Sequence, residues 1–257
     1  DIEIAGLFAA LFAWGNRTAI INKSVRLMEL MDMSPHDFIM GCGARDLRRL
    51  EGFCHRTFNT TDLLYFIEFL RHHYGRWPSL EDAFVKDIAG PGSRKKGNAE
   101  IIVRARREEA CAGTLPKCNL TEADMAGSPP VFIENALNHF RDYFFSLEDA
   151  PSRTRKHIAS PRKNSSCKRL NMYLRWMVRK DNSGVDFGIW KKIRPAQLIC
   201  PIDLHVLRVA QRFKLIDRKK ADWEAATALT HRLSAFDPDD PVKYDFALFG
   251  LGVVEKF

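Results

Sequence analysis

The sequence predicts an all-α protein, and the spacing of its apolar residues carries that prediction. Apolar side chains recur at intervals of three and four over most of the chain, the pattern of amphipathic or buried helices. No segment shows the alternation of apolar and polar residues that is typical of a half-buried strand. With 257 residues, 46% of them hydrophobic, the chain can bury a real core in one large domain or two packed ones.

The predicted helices follow one another along the chain, and several have recognisable ends. The helix at 60–75 opens with a Thr-Thr-Asp run and closes at Gly75, and the helical segment at 129–147 begins with a Pro pair. Pro, Gly and Ser residues favour loops at 90–98 and 150–166. The other helices are predicted at 4–14, 19–32, 79–88, 98–113, 168–180, 204–215 and 220–236, with a turn and a short helix in 237–252.

These helices are expected to form a single unit over residues 1–257. Within it we expect two packed helical subdomains, one at 30–145 and the other made of 1–29 together with 146–257. The chain opens with Asp1 rather than Met and almost at once inside a helix, so an N-terminal segment is expected to precede it. The protein is expected to be a monomer.

The positive charge of the chain is concentrated in one stretch. The net charge is +8, and residues 151–180 contain ten Lys and Arg and no Asp or Glu, so the rest of the chain has a net charge of −2. A basic patch on a nearly neutral body is the pattern expected for a polyanion partner, because each neutralised phosphate releases counterions. The sequence therefore predicts a nucleic-acid-binding protein.

Other classes of protein and site are disfavoured. The longest uncharged apolar run, 4–14, is too short to span a bilayer and no basic segment precedes it, so neither a membrane protein nor a secreted one is expected. We expect a cytoplasmic protein whose six cysteines are free thiols. No C-x-x-C pair or four-cysteine cluster is present, so no metal site and no cofactor is expected.

Lys168 opens an acid-free helix, and this makes it a candidate nucleophile. Helical spacing places it on one face with Met172, Arg175 and Arg179, opposite an apolar face that can pack. A lysine at the positive end of a helix dipole is a cation in an unfavourable place, and a neutral lysine amine is a nucleophile. The alternative is a solvated lysine that simply begins a helix.

Asp203 is a second candidate because of its position at a helix start. It follows Pro201 and precedes an apolar periodic run from Leu204, the pattern of an N-cap residue whose carboxylate accepts a backbone N–H bond. A capping role alone would explain this residue. It is also compatible with catalysis, because a capped carboxylate stays ionised and fixed in position.

The segment "PIDLHVLRVAQRFKL" at 201–215 resembles the Pro-x-Asp-x-His-Val-x-Arg-Val segment of the helix-hairpin-helix GPD superfamily of base-excision DNA glycosylases. The segment "SSCKRLNMYLRW" at 165–176 looks like the family's hairpin-to-helix segment, and residues 4–30 are similar to its early helix pair. The resemblance implies a helix-hairpin-helix fold, with Asp203 as a catalytic carboxylate and Lys168 as the nucleophile of the bifunctional members. The whole chain also resembles a bacterial family known only as a domain of unknown function.

This sequence departs from the superfamily in its hairpin, its spacing and its base pocket. The hairpin "SPRKNSS" has no glycine, and the early helix pair lacks the glutamine that often fills the gap left by an extruded base, so Trp14 or Asn16 is expected near that pocket. Lys168 and Asp203 lie 35 residues apart, closer to the archaeal and bacterial 8-oxoguanine glycosylases. Contacts to DNA are expected from Arg155, Lys156, Arg162, Lys163, Ser165, Ser166, Arg175, Arg179 and His205.

The resemblance therefore implies a base-excision DNA glycosylase, with lyase activity through a Schiff base on Lys168. The expected partner is damaged double-stranded DNA, with an oxidised purine as the base removed. The glycine-free hairpin favours an alternative, a non-catalytic DNA-binding module on the same scaffold, and the charge of the chain fits an RNA-binding role equally well.

Overall fold

The computed structural model describes residues 1–85 and 129–254. Over these residues the chain is mostly helical, so the predicted all-α class is confirmed. The helix predicted at 98–113 and the loop predicted at 90–98 lie outside the described residues. The helices are α1 (Ile2–Phe12), α2 (Arg17–Leu30), α3 (Pro35–Gly41), α4 (Ala44–Arg48), α5 (Thr60–Tyr74), α6 (Asp82–Val85), α7 (Pro129–Phe144), α8 (Lys168–Val178), α9 (Leu204–Arg212), α10 (Trp223–Ser234) and α11 (Asp245–Val254).

A small antiparallel hairpin lies among the described residues, and the sequence did not predict it. Strand β1 (Cys54–His55) pairs with β2 (Phe58–Asn59), with His55 opposite Phe58. Strands of two residues are too short to show an alternating pattern. The His55 ring contacts the Phe12 carbonyl oxygen at 3.1 Å, which holds the hairpin against the end of α1.

The core of the described residues is rich in phenylalanine. Phe8 of α1, Phe66 of α5 and Phe144 of α7 are completely buried, with ring centroids 5.8 Å apart for Phe8 and Phe66 and 4.6 Å apart for Phe66 and Phe144. Such tilted and edge-on pairs stabilise a core beyond the area they bury. Helix α1 is therefore a central element, which explains why apolar residues dominate its sequence.

Helix α8 packs closely on α1, and this fixes the position of its first residue, Lys168. A β-carbon added at Gly6 of α1 would lie 2.9 Å from Met177 Cε of α8, so glycine permits the close approach. Tyr173 donates its hydroxyl hydrogen bond to the Glu3 carbonyl at 3.0 Å. The predicted apolar face of α8 is thus the face that packs.

The segment predicted as a loop at 150–166 contains two short 3-10 helices, Ser152–Lys156 and Pro161–Lys163. It is held by Asp62, a fully buried carboxylate of α5. Arg153 Nη1 lies 2.6 Å from Asp62 Oδ2, and Thr154 donates to Asp62 Oδ1 at 2.8 Å. The loop is therefore ordered by a distant carboxylate that local sequence does not reveal. Further 3-10 helices lie at Pro195–Gln197 and Pro241–Tyr244.

Among the described helices, none combines the length and the hydropathy needed to cross a bilayer. The division into subdomains at 30–145 and at 1–29 with 146–257 stays a prediction.

Candidate active site

Lys168 and Asp203 form an ion pair at the meeting point of two helix N-termini. The Lys168 Nζ atom lies 2.6 Å from Asp203 Oδ2. Lys168 is the first residue of α8, and Asp203 is the N-cap of α9. Their side chains keep 28% and 21% of their exposure, so the pair is partly buried yet reachable from solvent. The structure thus brings together the two residues that the sequence singled out.

The Asp203 carboxylate is held by a backbone bond as well as by the lysine. Its Oδ1 atom accepts a hydrogen bond from the Val206 N–H at 2.9 Å, the capping interaction that the sequence predicted. Burial raises the pKa of this carboxyl, but the bonds from Lys168 and Val206 and the nearby charges of Lys168 and His205 outweigh it, so its pKa lies below the ordinary value. Asp203 is therefore an ionised, fixed carboxylate.

The segments that precede the two helices are also joined. The Ser166 hydroxyl donates to the Ile202 carbonyl at 3.4 Å. Each of these residues comes directly before the N-cap of its helix, Cys167 for α8 and Asp203 for α9. Cys167 is buried and has a φ of 48°, a left-handed conformation that turns the chain into α8. Burial raises the pKa of the Cys167 thiol to about 12, so this cysteine is not a second nucleophile.

Helix α11 supplies an aromatic side to the site that the sequence analysis missed. The Lys168 Nζ atom lies 5.4 Å from the centre of the Phe249 ring, and the His205 ring meets that ring edge-on at 6.3 Å. Phe249 is 37% exposed. A β-carbon at Gly252 would lie 2.9 Å from the His205 carbonyl oxygen, so α11 approaches α9 closely. No local signal marks Phe249, because it belongs to an ordinary apolar helix.

The hairpin before α8 exposes only part of its predicted phosphate contacts. Lys163 and Asn164 are exposed, and Asn164 has a φ of 52°, which supplies the turn in place of glycine. Arg162 is exposed but lies 2.6 Å from Asp142 Oδ2. The Ser165 hydroxyl accepts the Cys167 N–H bond at 3.3 Å, so it is partly occupied within the hairpin.

The neighbouring 3-10 helix presents Arg155 and Lys156 to solvent. The Arg155 guanidinium lies 4.9 Å from the centre of the Phe145 ring, which orients it without neutralising its charge. Both side chains are exposed, and their contact with phosphates stays a prediction.

The structure corrects the expected roles of Arg175 and Arg179. Arg175 is 2% exposed and donates to Asp186 Oδ2 at 3.0 Å and to Asp245 Oδ2 at 2.7 Å. Arg179 is bonded to Asp186 and to Asp240. Both arginines are engaged by carboxylates inside the protein and not free for DNA. The sequence misled because these three carboxylates lie up to 70 residues beyond the arginines that they pair.

The assignment of Trp14 and Asn16 to a base pocket stays a prediction. Asn16 is the N-cap of α2, and its side chain accepts the Ala19 N–H bond at 3.2 Å. The Arg56 guanidinium lies over the Trp14 ring, 4.8 Å from the centre of that ring. Asn16 therefore caps α2, and Trp14 contacts an arginine in the turn of the β1–β2 hairpin.

Two shallow surface depressions are found among the described residues. One shallow depression is lined by the loop 217–222 and another by Phe246, Ala247, Gly250, Leu251 and Val254 of α11, and neither is lined by Lys168 or Asp203. In the part of the chain that the structure describes, no group of three or more His, Cys, Asp or Glu side chains is arranged to hold a metal ion.

Comparison with known proteins identifies a family whose description names no activity. The model of the family described as "Protein of unknown function (DUF2400)" matches residues 1–254. No curated protein and no solved structure matches the chain.

Proposed function

This chain belongs to the DUF2400 family, and we propose that it is a base-excision DNA glycosylase with lyase activity. The observation that carries the proposal is the ion pair between the Lys168 amine and the Asp203 carboxylate. The two groups lie 2.6 Å apart and are reachable from solvent. A lysine beside a fixed carboxylate is the pair that Schiff-base chemistry on a sugar requires. The resemblance of residues 201–215 to the superfamily segment supports the same reading.

The reaction begins with extrusion of the target nucleotide, which costs a few kcal/mol and least for a damaged base. The incoming sugar displaces the Lys168–Asp203 contact, and Lys168 gives a proton to solvent water and becomes a neutral amine. Its lone pair forms a bond to C1′, while the electron pair of the C1′–N bond leaves with the base, which takes up a proton from water. Asp203, held ionised by its cap, stabilises the positive charge that develops on the sugar.

A strand nick follows from the same intermediate. Opening of the sugar ring converts the Lys168–C1′ bond into an iminium, a Schiff base. Loss of a proton from C2′ then expels the 3′ phosphate, breaking the C3′–O bond, and water later releases Lys168. Phe249 offers an aromatic face next to the lysine, on which an extruded base can stack.

The substrate we propose is an oxidised purine in double-stranded DNA. The 35-residue separation of Lys168 and Asp203 supports this choice through its likeness to 8-oxoguanine glycosylases. Phosphates on either side of the lesion would be contacted by Arg155, Lys156 and Lys163, whose charges are exposed.

Base release and strand nicking test the proposal. The protein is incubated with duplexes that carry 8-oxoguanine, uracil or an abasic site, and free base and cleaved strand are measured separately. Lys168→Ala is expected to abolish nicking, whereas Lys243→Ala, a matched exposed lysine bonded to the carboxylate of Asp237, is expected to act like the wild type. Absence of base release and nicking on every duplex contradicts the proposal.

A second candidate is a non-catalytic DNA- or RNA-binding module on the same scaffold. One observation favours it: Lys168 is already paired with Asp203. Salt-sensitive binding of nucleic acid together with no reaction on any of the three duplexes would select this candidate.

A further inference from the structure

Helix α9 presents a row of cations beyond the catalytic aspartate. Arg208 and Arg212 are four residues apart and both exposed, so they lie one above the other on the same helix face. Lys214, also exposed, follows the end of the helix in a left-handed turn with a φ of 55°. The stretch from Leu204 to Lys214 contains no acidic residue.

The loop after α9 extends this row and is fixed in place at both ends. The Gln211 side chain donates to the Arg218 carbonyl at 2.7 Å, which ties the loop to α9. A backbone bridge pairs Ser165 with Asp222, which ties the loop to the hairpin before Lys168. Between these two anchors Lys219 and Lys220 are exposed.

Two of the acidic residues nearby are neutralised by a different arginine. Arg218 bonds Asp222 through Nη2 at 3.0 Å and Glu224 through Nη1 at 2.5 Å. Residues 204–220 contain six Lys and Arg and one Asp, a net charge of +5. Within the described residues the ion pairs involve none of Arg208, Arg212, Lys214, Lys219 and Lys220.

The stretch 151–180, which the sequence marked as the basic patch, behaves differently. Of its ten cations, five are paired with carboxylates: Arg153, Arg162, Lys168, Arg175 and Arg179. Arg169 is bonded to the carbonyl oxygens of Leu11 and His157. The free positive charge of the described surface is therefore found on α9 and its loop as much as on the hairpin.

We infer that Arg208, Arg212, Lys214, Lys219 and Lys220 form a basic track that binds the phosphates of duplex DNA beside the nucleotide at Lys168. The inference rests on the proposed function and names a surface for it. Arg212 lies nine residues from Asp203, about 14 Å along the helix axis at 1.5 Å per residue. Phosphates of one strand advance about 3.4 Å along the duplex axis, so a duplex aligned with α9 would meet this track over roughly four nucleotides.

The test is the salt dependence of binding to an undamaged DNA duplex, followed by fluorescence anisotropy. The triple variant Arg208→Gln, Arg212→Gln, Lys214→Gln removes three cations of the track. The slope of log K against log salt is expected to become shallower by about 0.9 for each lost phosphate contact, or roughly 2.7 in all. The variant Arg45→Gln, Arg48→Gln, Arg232→Gln removes the same charge from exposed positions elsewhere and is expected to keep the wild-type slope.

Each result decides the inference. Equal slopes for the track variant and the wild type would overturn the track while leaving the lysine chemistry to its own test. An equal loss of slope in both triple variants would also overturn it, because the effect would then follow net charge and not position. A wild type that binds DNA without salt dependence would overturn both the track and the proposed function. A track-dependent slope with duplex RNA but not DNA would replace the DNA partner with RNA.

Discussion

At the residue scale, Asp203 has two separable roles, because one oxygen caps α9 and the other holds Lys168. Asparagine is as good an N-cap as aspartate, so Asp203→Asn keeps the cap and loses the ion pair. We expect its free energy of unfolding to fall by less than about 1 kcal/mol, since partly exposed ion pairs contribute little. Asp203→Ala also loses the cap and is expected to cost about 1 kcal/mol more. Urea denaturation measures both.

Catalysis and stability are predicted to separate at this residue. Both variants are expected to lose base release, because neither supplies a carboxylate next to the sugar. If Asp203→Asn kept full activity, the carboxylate would be a cap only, as the plainer reading of the sequence holds.

The pH dependence of stability follows from the same residue. The pKa of Asp203 is lower in the folded protein than in the unfolded chain, so the unfolded state binds more protons as the pH falls. The stabilisation from its charge is complete above the unfolded pKa of about 3.9 and is lost as the pH falls through the lower folded pKa. The stability difference between wild type and Asp203→Asn is therefore expected to shrink below about pH 4. Denaturation series at several pH values measure it, and a difference that grows on acidification would contradict the assignment.

At the element scale, α8 is attached to the rest of the protein by buried charge. Removing Arg175 leaves Asp245 without a partner in the interior, where an uncompensated charge costs about 3–5 kcal/mol, whereas Asp186 keeps Arg179. Arg175→Ala is expected to lose stability of this size. Arg155 lies in the same stretch 151–180, is exposed and has no carboxylate partner in the described residues. Arg155→Ala is therefore expected to lose less than about 0.5 kcal/mol of stability.

The two arginines are expected to differ in the opposite sense in DNA binding. Arg155→Ala should reduce the salt slope by about 0.9, and a folded Arg175→Met variant should leave it unchanged. A reduced slope for Arg175→Met would show that this arginine leaves its carboxylates to meet DNA.

The contact between α9 and α11 can be tested with two glycines of one helix. A β-carbon at Gly252 would meet the His205 carbonyl oxygen at 2.9 Å, whereas one at Gly250 would have nothing within 4 Å. Gly252→Ala is expected to cost about 1–3 kcal/mol and to lower activity by moving Phe249 away from Lys168. Gly250→Ala is expected to gain about 0.5–1 kcal/mol, since alanine favours a helix. Thermal unfolding and nicking rates, measured on both, check this; equal behaviour of the two variants would contradict the packing.

At the scale of the whole molecule, features set by neighbouring residues could be predicted from the sequence, and contacts between residues far apart in the chain could not. Lys168 and Asp203 were predictable because each begins a helix, and helix starts are marked by neighbouring residues. The ion pairs of Arg175 and Arg179 were not, because their carboxylates approach through the tertiary fold. Phe249 was missed for the same reason.

The distribution of charge shows the same limit. The count of basic residues correctly marked 151–180 as unusual, yet half of those cations have carboxylate partners in the structure. The acid-free face of α9 is indicated in the sequence by Arg208 and Arg212, which are four residues apart. A count of basic residues over 151–180 does not include them. Which cations are free to bind a polyanion depends on where the acidic residues fold.

Borohydride trapping tests the central claim, the nucleophilic role of Lys168, most directly. The protein is incubated with a duplex that carries 8-oxoguanine or an abasic site and reduced, and the adduct is digested and mapped by mass spectrometry. A Schiff base to Lys168 would be reduced to a stable amine, so we expect the sugar remnant on the peptide containing Lys168, and no adduct with Lys168→Ala. An adduct on another lysine, or one that survives Lys168→Ala unchanged, would contradict the claim.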